Sequence, residues 1–255
     1  MIATFFNNDT ILKAAEFLWE NRPWVVLTGA GVSTESGIPD FRSPQTGLWS
    51  QYDPMKVLST TVLYHQPDLF YRVGFPILMK FKEALPNPAH RVLADWERNG
   101  MVETVVTQNI DSLHTRAGSK KVLEIHGHLR TGTCIKCKKV VPIETIEIEI
   151  ESDHIPPGCG CGGIIRPDVV LFGDRLPRDF DQAMDLAGRF PLLVIGSSLQ
   201  VSPANFIPSQ AKTVMILNLE RTSFDDKAVL VMNGKAGLIL SAVDETIKKR
   251  KENIR

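Results

Sequence analysis

The sequence predicts an α/β fold built on an open, mostly parallel β-sheet. Short apolar runs rich in β-branched residues recur along the chain, and such runs are typical of strands buried on both faces of a parallel sheet. Stretches with the helical spacing of apolar residues separate these runs. Glycines or polar residues follow the runs directly, and open α/β sheets bind ligands at the carboxyl ends of their strands.

Each predicted element follows from a local pattern. Asp9 is a candidate cap for a first helix, and a second helix covers residues 88–98, where an Asn-Gly pair ends it. Residues 48–85 have a helical pattern interrupted by prolines, and we expect them to form a mobile cover over a nucleotide. Residues 143–151 alternate in a way that fits either a strand or a charged helix. The predicted strands are residues 24–27, 103–107, 122–125, 192–195 and 213–217.

The 255 residues suffice for one main domain with a small insertion. Residues 129–166 hold all four cysteines and interrupt the alternation of strands and helices, so we predict a small inserted module there. The main, Rossmann-like domain then consists of residues 1–128 and 167–255, and part of residues 45–86 forms the cover.

Composition narrows the partners and the compartment. Lys plus Arg and Asp plus Glu number 29 each, so no net charge attracts nucleic acid, and we predict no direct binding to it. No apolar run approaches the length of a membrane span, and the first residues lack the pattern of a secretory signal. We therefore expect a cytoplasmic protein without a membrane partner.

Residues 28–42 carry the densest signal. Three small residues, Gly29, Ala30 and Gly31, let the backbone turn tightly and approach a phosphate, and a helix starting near Ser33 would direct its N–H groups at that anion. Because the usual third glycine is missing, the pattern also fits a plain turn. A proline-stiffened loop then presents an acid, a ring and a guanidinium, which suit a ribose, a ring face and a phosphate, at Asp40, Phe41 and Arg42.

The four cysteines form a Cys-x-x-Cys pair and a Cys-Gly-Cys pair. Two thiolate pairs on tight turns can close a tetrahedron around zinc, and four sulfur ligands leave no position for water, so the predicted ion is structural. It would stabilise a module too small for a core of its own. Disulfides, or a redox dithiol at the first pair, are the alternatives. The candidate ligands are Cys134, Cys137, Cys159 and Cys161.

Polar residues also follow the other predicted strands. His126 ends the third strand, and its near-neutral titration suits a general base, with His114 and His128 as rivals. An amide and a carboxylate follow the second strand, although an Asp there also caps helices. Hydroxyls and an amide that suit phosphate or ribose follow the last two strands, where ordinary polar turns are the alternative. These three motifs are Gln108-Asn109-Ile110-Asp111, Gly196-Ser197-Ser198 and Asn218-Leu219-Glu220.

Together these motifs resemble the sirtuin (Sir2) family of NAD-dependent protein-lysine deacylases, in the family's order and over about residues 20–240. The resemblance implies that NAD is consumed, that His126 activates a ribose hydroxyl after nicotinamide has left, and that Asn109 and Asp111 contact the carboxamide and a ribose. The implied products are nicotinamide, free lysine and O-acetyl-ADP-ribose. The implied NAD contacts are Gly29, Ala30, Gly31, Ser33, Thr34, Asp40, Phe41, Arg42, Gln108, Asn109, Ile110, Asp111, Gly196, Ser197, Ser198, Asn218, Leu219, Glu220 and Ala236.

Residues 166–173 resemble the family's substrate segment. We expect an acetyl-lysine peptide to add as a strand to its edge, while an apolar tunnel takes the acylated lysine. An ordinary buried strand is the alternative. The candidate peptide contacts are Val170, Phe172 and Gly173.

Three other functions fit parts of the pattern. A protein ADP-ribosyltransferase keeps the nucleotide-binding residues 28–42 but needs no lysine tunnel. A noncatalytic NAD-sensing module needs none of His126, Asn109 and Asp111. A hydride-transferring dehydrogenase fits the glycines but not the residues that follow them or the cysteine insertion. An NAD-dependent protein-lysine deacetylase accounts for all of the motifs.

Sirtuins that prefer succinyl or malonyl lysine carry a Tyr and, three positions later, an Arg that bind the acyl carboxylate. Here Gly74 stands three positions after Tyr71, and Arg72 adjoins that tyrosine. We therefore predict a preference for acetyl or another uncharged acyl group. Turnover of one peptide in its acetylated and succinylated forms measures this preference, and comparable rates would contradict it.

Overall fold

The protein is described by a computed structural model over residues 8–40, 53–80 and 82–254. The strands are β1 Trp24–Thr28, β2 Val102–Thr107, β3 Val122–Glu124, β4 Gly127–Cys134, β5 Val140–Pro142, β6 Ile165–Val169, β7 Leu192–Ile195, β8 Val214–Asn218 and β9 Leu230–Asn233. The helices are α1 Asn8–Glu20, α2 Thr60–His65, α3 Pro67–Leu69, α4 Phe75–Met79, α5 Pro88–Arg98, α6 Leu113–Ala117, α7 Ile143–Glu151, α8 Arg178–Arg189 and α9 Ala236–Ile254.

Six strands form one parallel sheet in the order β3-β2-β1-β7-β8-β9. This arrangement confirms the predicted α/β fold with its open parallel sheet. The chain winds outward from β1 in one direction and from β7 in the other. The carboxyl ends of β1 and β7 therefore border a topological switch point, where open α/β sheets bind their ligands.

Helices cover both faces of the sheet because successive strand residues point to opposite sides. In β1, Val26 packs with α1, α5 and α9, whereas Val25 and Leu27 pack on the other face with Ala183 and Ala187 of α8. All five residues are buried. The sheet is thus enclosed, and its carboxyl edge is left for a site.

A second, antiparallel sheet of order β5-β4-β6 lies in the cysteine module. Its core includes residues of the predicted cover, so cover and module pack as one unit. Tyr71 is buried there and donates from its hydroxyl to Ile165 O at 2.8 Å. Two ion pairs join the same parts, Lys82 with Glu147 and Arg72 with Asp153, both at 2.6 Å. The domain boundaries given above stay a prediction.

Two local predictions need comment. The prediction of a helix starting near Ser33 is wrong, since the backbone makes two 3₁₀ turns, Ala30–Val32 and Thr34–Ser36. Gly37 ends them at φ +83°, and a proline two residues later excludes a continuing helix. Residues 143–151 form a helix because Ile143 and Ile146 are both buried at helical spacing.

No helix in the described part of the chain is long and apolar enough to cross a membrane.

Gly127 begins β4 at φ +75°, and a Cβ there would overlap Asp168 O. We expect Gly127→Ala to lower the free energy of unfolding by about 1–3 kcal/mol, from left-handed strain and overpacking. Gly188→Ala is the control, because Gly188 lies in α8 with open space around it, and alanine there should stabilise by up to about 1 kcal/mol. Urea unfolding midpoints measure both, and equal shifts would contradict the prediction.

Candidate active site

Glycines bring the ends of β1 and β7 into direct contact. Gly29 N–H donates to Ile195 O at 3.1 Å, and Gly31 N–H donates to Gly196 O at 2.8 Å. A Cβ on Gly29 or Gly31 would come within 2.8 Å of Gly196 O. Gly196 itself has φ +62°, a conformation that favours glycine. Only glycine fits at this contact, which forms the floor of a crevice at the switch point.

A cavity of about 330 Å³ opens over this floor. Most of the residues predicted to contact NAD line it, namely Gly29, Ala30, Gly31, Thr34, Asp40, Gln108, Asn109, Gly196, Ser197, Ser198, Asn218, Leu219, Glu220 and Ala236, together with His126. The sequence analysis missed Gln200, Val201, Leu217 and Gly234 in this lining. Gln200 and Val201 follow the Gly-Ser-Ser turn with only Leu199 between, and this position was the signal available for them. Gly234 follows β9, which the pattern did not reveal.

A second cavity of about 270 Å³ adjoins the first and shares Ala30 and Asn109 with it. The remaining predicted contacts among the described residues, Ser33, Ile110 and Asp111, line this second cavity. Ile143 of the cysteine module also contributes to its wall. Phe41 and Arg42 lie outside the described residues.

Asn109, Ser33 and Asp111 form one hydrogen-bonded group between the two cavities. Asn109 Nδ2 donates to Gly29 O at 3.2 Å and to Ser33 Oγ at 3.0 Å. Ser33 Oγ donates to Asp111 Oδ2 at 2.7 Å, and Asp111 Oδ1 accepts from Leu113 N–H at 2.9 Å. Asn109 Oδ1 is buried and has no hydrogen-bond partner among the described residues. A buried acceptor without a partner is costly, so this amide oxygen suits a donor on a ligand.

Burial changes the pKa values of the ionisable side chains in and behind this group. Burial raises the pKa of Asp111, while the hydrogen bonds from Leu113 and Ser33 act against that rise. Two buried histidines lie behind it, with ring centroids 4.8 Å apart. Burial lowers the pKa of His90 to about 4 and that of His114 well below its usual value. Both rings are therefore neutral at pH 7 and form an uncharged wall.

His126 is oriented by the strand next to it. Its Nδ1 lies 2.9 Å from Gln108 O, and a carbonyl oxygen only accepts, so Nδ1 carries the proton and Nε2 keeps a lone pair. Burial lowers the pKa of His126, and the bond to Gln108 partly opposes this. The ring is thus a neutral base in the first cavity. Its rivals His114 and His128 line neither cavity.

Of the predicted peptide residues, Val170 lies beside His126, and none of the three lines either cavity. Val170 N–H donates to His126 O at 2.9 Å. Phe172 pairs through its main chain with the cover, donating to Leu58 O at 3.1 Å and accepting from Thr60 N–H at 3.0 Å. The edge of the segment at Phe172 is therefore already paired. Peptide contacts at Val170, Phe172 and Gly173 stay a prediction.

The four cysteines come together as predicted. Their sulfur atoms all lie within 4.8 Å of one another; Cys134 and Cys161 are 3.5 Å apart, and Cys137 and Cys159 are 3.7 Å apart. A zinc tetrahedron with Zn–S bonds of about 2.3 Å has S···S edges of about 3.8 Å. Main-chain N–H groups of Cys137 and Lys136 lower the pKa of the Cys134 thiol to about 6. Against an opposing bond from Lys139, the neighbouring sulfurs of Cys161 and Cys134 raise the pKa of Cys137 to about 11, so the four sulfur positions carry the assignment. The donor set fits one structural zinc ion.

The fold and the site define a dinucleotide-binding α/β protein with a four-cysteine metal module. The family model of the Sir2 family matches residues 29–203, and the chain belongs to this family.

Relatives and solved structures agree with this membership. The chain is 50% identical over 238 residues to NAD-dependent protein deacetylase 2 of Caldanaerobacter subterraneus subsp. tengcongensis, covering 92% of this chain and 95% of that one. It is 44% identical to NAD-dependent protein deacetylase 1 of Geobacillus kaustophilus, covering 92% and 98%. A Sir2–p53 peptide–NAD+ structure superposes with a TM-score of 0.81 at 38% identity, covering 95% of this chain and 98% of that chain.

Zinc should be required for the stability of the module, because structural zinc supplies folding free energy. We expect one zinc per chain by elemental analysis, and a lower melting temperature with a chelator or in Cys134→Ala. Val140→Ala is the control, since Val140 lies in the same module with 59% exposure and should keep the metal. Absence of zinc, together with an unchanged melting temperature in Cys134→Ala, would contradict the assignment.

Proposed function

We propose that the protein is an NAD-dependent protein-lysine deacetylase. It cleaves NAD to nicotinamide and transfers the acetyl group of a modified lysine to ADP-ribose, so that free lysine and O-acetyl-ADP-ribose form with consumption of one water. One observation carries the proposal, namely that His126 and Asn109 present acceptor atoms to the same glycine-floored crevice. The names of the bacterial relatives support it, as does a Sir2 structure with deacetylated p53 peptide and 3′-O-acetyl ADP-ribose, which matches at a TM-score of 0.85.

The residues divide the work by their chemistry. Gly29, Gly31 and Gly196 let the cofactor approach the backbone at the switch point. Asn109 Oδ1 would accept from the nicotinamide carboxamide, because this oxygen is a buried acceptor without a hydrogen-bond partner among the described residues. Asp111, held by Ser33 and Leu113, lies beside it for the ribose. These interactions orient the bond that breaks.

His126 acts as the general base. Its Nε2 accepts the proton of a ribose hydroxyl, and the Nδ1–H donated to Gln108 O holds the ring in position as the imidazolium forms. The bond to Gln108 favours that charged form, because it opposes the pKa-lowering effect of burial. Proton transfer therefore occurs at a fixed atom.

The remaining predictions are part of the same proposal. Residues 129–166 form the zinc module, part of residues 45–86 covers the cofactor, and Val170, Phe172 and Gly173 contact the acetyl-lysine peptide. The protein acts in the cytosol, where thiols remain reduced and can hold zinc.

The test incubates the protein with NAD and an acetyl-lysine peptide library and measures nicotinamide and O-acetyl-ADP-ribose. We expect acyl-dependent release of nicotinamide, and a loss of about 100-fold or more in His126→Ala, the range for removal of a general base. His128→Ala is the matched control and should retain activity. Labelling of protein by ADP-ribose would indicate a transferase instead, and no acyl-dependent release would overturn the proposal.

The pH profile should report His126. A base must be neutral to accept a proton, so kcat/KM falls as the pH falls through the pKa of His126 in the free enzyme. Because burial lowers this pKa from 6.5, we expect the acid limb to have its midpoint below pH 6.5, so that most of this group is neutral at pH 7. A midpoint above 6.5 would contradict this assignment.

A further inference from the structure

An ion pair closes the segment that follows β6. Arg166 Nη1 donates to Asp174 Oδ1 at 3.2 Å, and Nη2 donates to Asp174 Oδ2 at 2.6 Å. The pair is bidentate, and the exposed fraction of the side chain is only 18% for Arg166 and 21% for Asp174. Bidentate guanidinium–carboxylate pairs fix geometry as well as distance. This pair therefore differs from the solvent-exposed pairs of the helices, which contribute little.

The same two side chains also hold the main chain between them. Arg166 Nη2 donates to Val169 O at 2.9 Å, and Asp174 Oδ2 accepts from Leu171 N–H at 2.9 Å. Asp174 N–H donates back to Leu171 O at 3.0 Å. Inside this turn, Gly173 has φ +97°. Residues 169–174 are thus held at both ends by one charged contact.

The held segment connects the proposed base to the cover. Val170 bonds to His126 O, and Phe172 bonds to Leu58 and Thr60. Phe172 nevertheless leaves 41% of its surface exposed. A turn that keeps an aromatic side chain exposed while its main chain is paired presents a preformed surface beside the base.

We propose that Arg166 and Asp174 are a positioning pair for the acetyl-lysine peptide. The pair holds residues 170–173 in the binding conformation before the peptide arrives, so that binding need not order them. The inference rests on the proposed deacetylase function. Neither residue lines the two cavities, whereas both bond to the main chain of the segment that carries the proposed peptide contacts, so we expect an effect on the peptide and not on NAD.

Asp174→Asn tests the pair, because it keeps the shape and an acceptor for Leu171 N–H but removes the charge. Asp185→Asn is the matched control, since Asp185 pairs with Arg189 on the surface of α8. We expect KM for the peptide to rise about tenfold in Asp174→Asn, equivalent to about 1.4 kcal/mol. KM for NAD and kcat should stay within about twofold, and Asp174→Glu should recover part of the loss. The control should change none of these.

A direct measurement separates the possible failures. The dissociation constant of an acetyl-lysine peptide, measured by calorimetry without NAD, should rise in parallel with KM. If the unmutated protein turns over the peptide and Asp174→Asn leaves both constants unchanged, the inference is overturned and the proposed function stands. A parallel change in KM for NAD and in kcat would assign the pair a general structural role and would also overturn the inference.

If Asp174→Asn does not fold, Arg166→Lys gives the same comparison, because it keeps the charge and loses the bidentate contact. An unmutated protein that neither releases nicotinamide nor binds the peptide overturns both proposals.

Discussion

The contact between the glycines after β1 and β7 is the constraint on which the rest of the site depends. Gly29 and Gly31 lie against Gly196 so closely that no side chain fits at any of the three positions. Because β1 and β7 are parallel neighbours, both loops leave the sheet at the same edge. A side chain there would separate the two halves of the sheet and open the floor of the crevice.

Above that floor, hydrogen bonds connect the residues that follow β1 with those that follow β2. Asn109 reaches back to Gly29 O and to Ser33, and Ser33 donates to Asp111. Gln108 bridges to Ser197 with its side chain at 3.0 Å and holds His126 with its carbonyl. These hydrogen bonds fix the two side chains whose acceptors are left for ligands, so Asn109 Oδ1 and His126 Nε2 have defined positions. Buried neutral histidines behind them add no charge.

The metal module is joined to this centre through one strand. β4 begins at Gly127, next to His126, and ends at Cys134. Its partner β6 leads into the segment that Arg166 and Asp174 hold. Cover, module and second cavity also share a wall, since Tyr71 packs in the core of the module and Ile143 lines the cavity. Folding of the zinc module therefore affects both the strand next to His126 and the wall of the second cavity. A zinc ion with four sulfur ligands has no open position for a substrate.

The sequence by itself determined the features that depend on local pattern. Apolar runs marked β1, β2, β3, β7 and β8, the cysteine spacing marked a cluster that fits zinc, and a histidine at a strand end marked the proposed base. Where tertiary contacts compete with pattern, only the structure decided. Residues 143–151 form a helix because Ile143 and Ile146 share a core. The missing α-helix at Ser33 has a local cause that the sequence analysis overlooked, since Gly37 and Pro39 end the 3₁₀ turns there. Glu35 accepts from Gly237 N–H at 2.6 Å, and Phe172 pairs with Leu58, although these partners are far apart in the chain. Such contacts follow from how the sheet brings distant segments together, and a local pattern of residues contains no information about which segments meet.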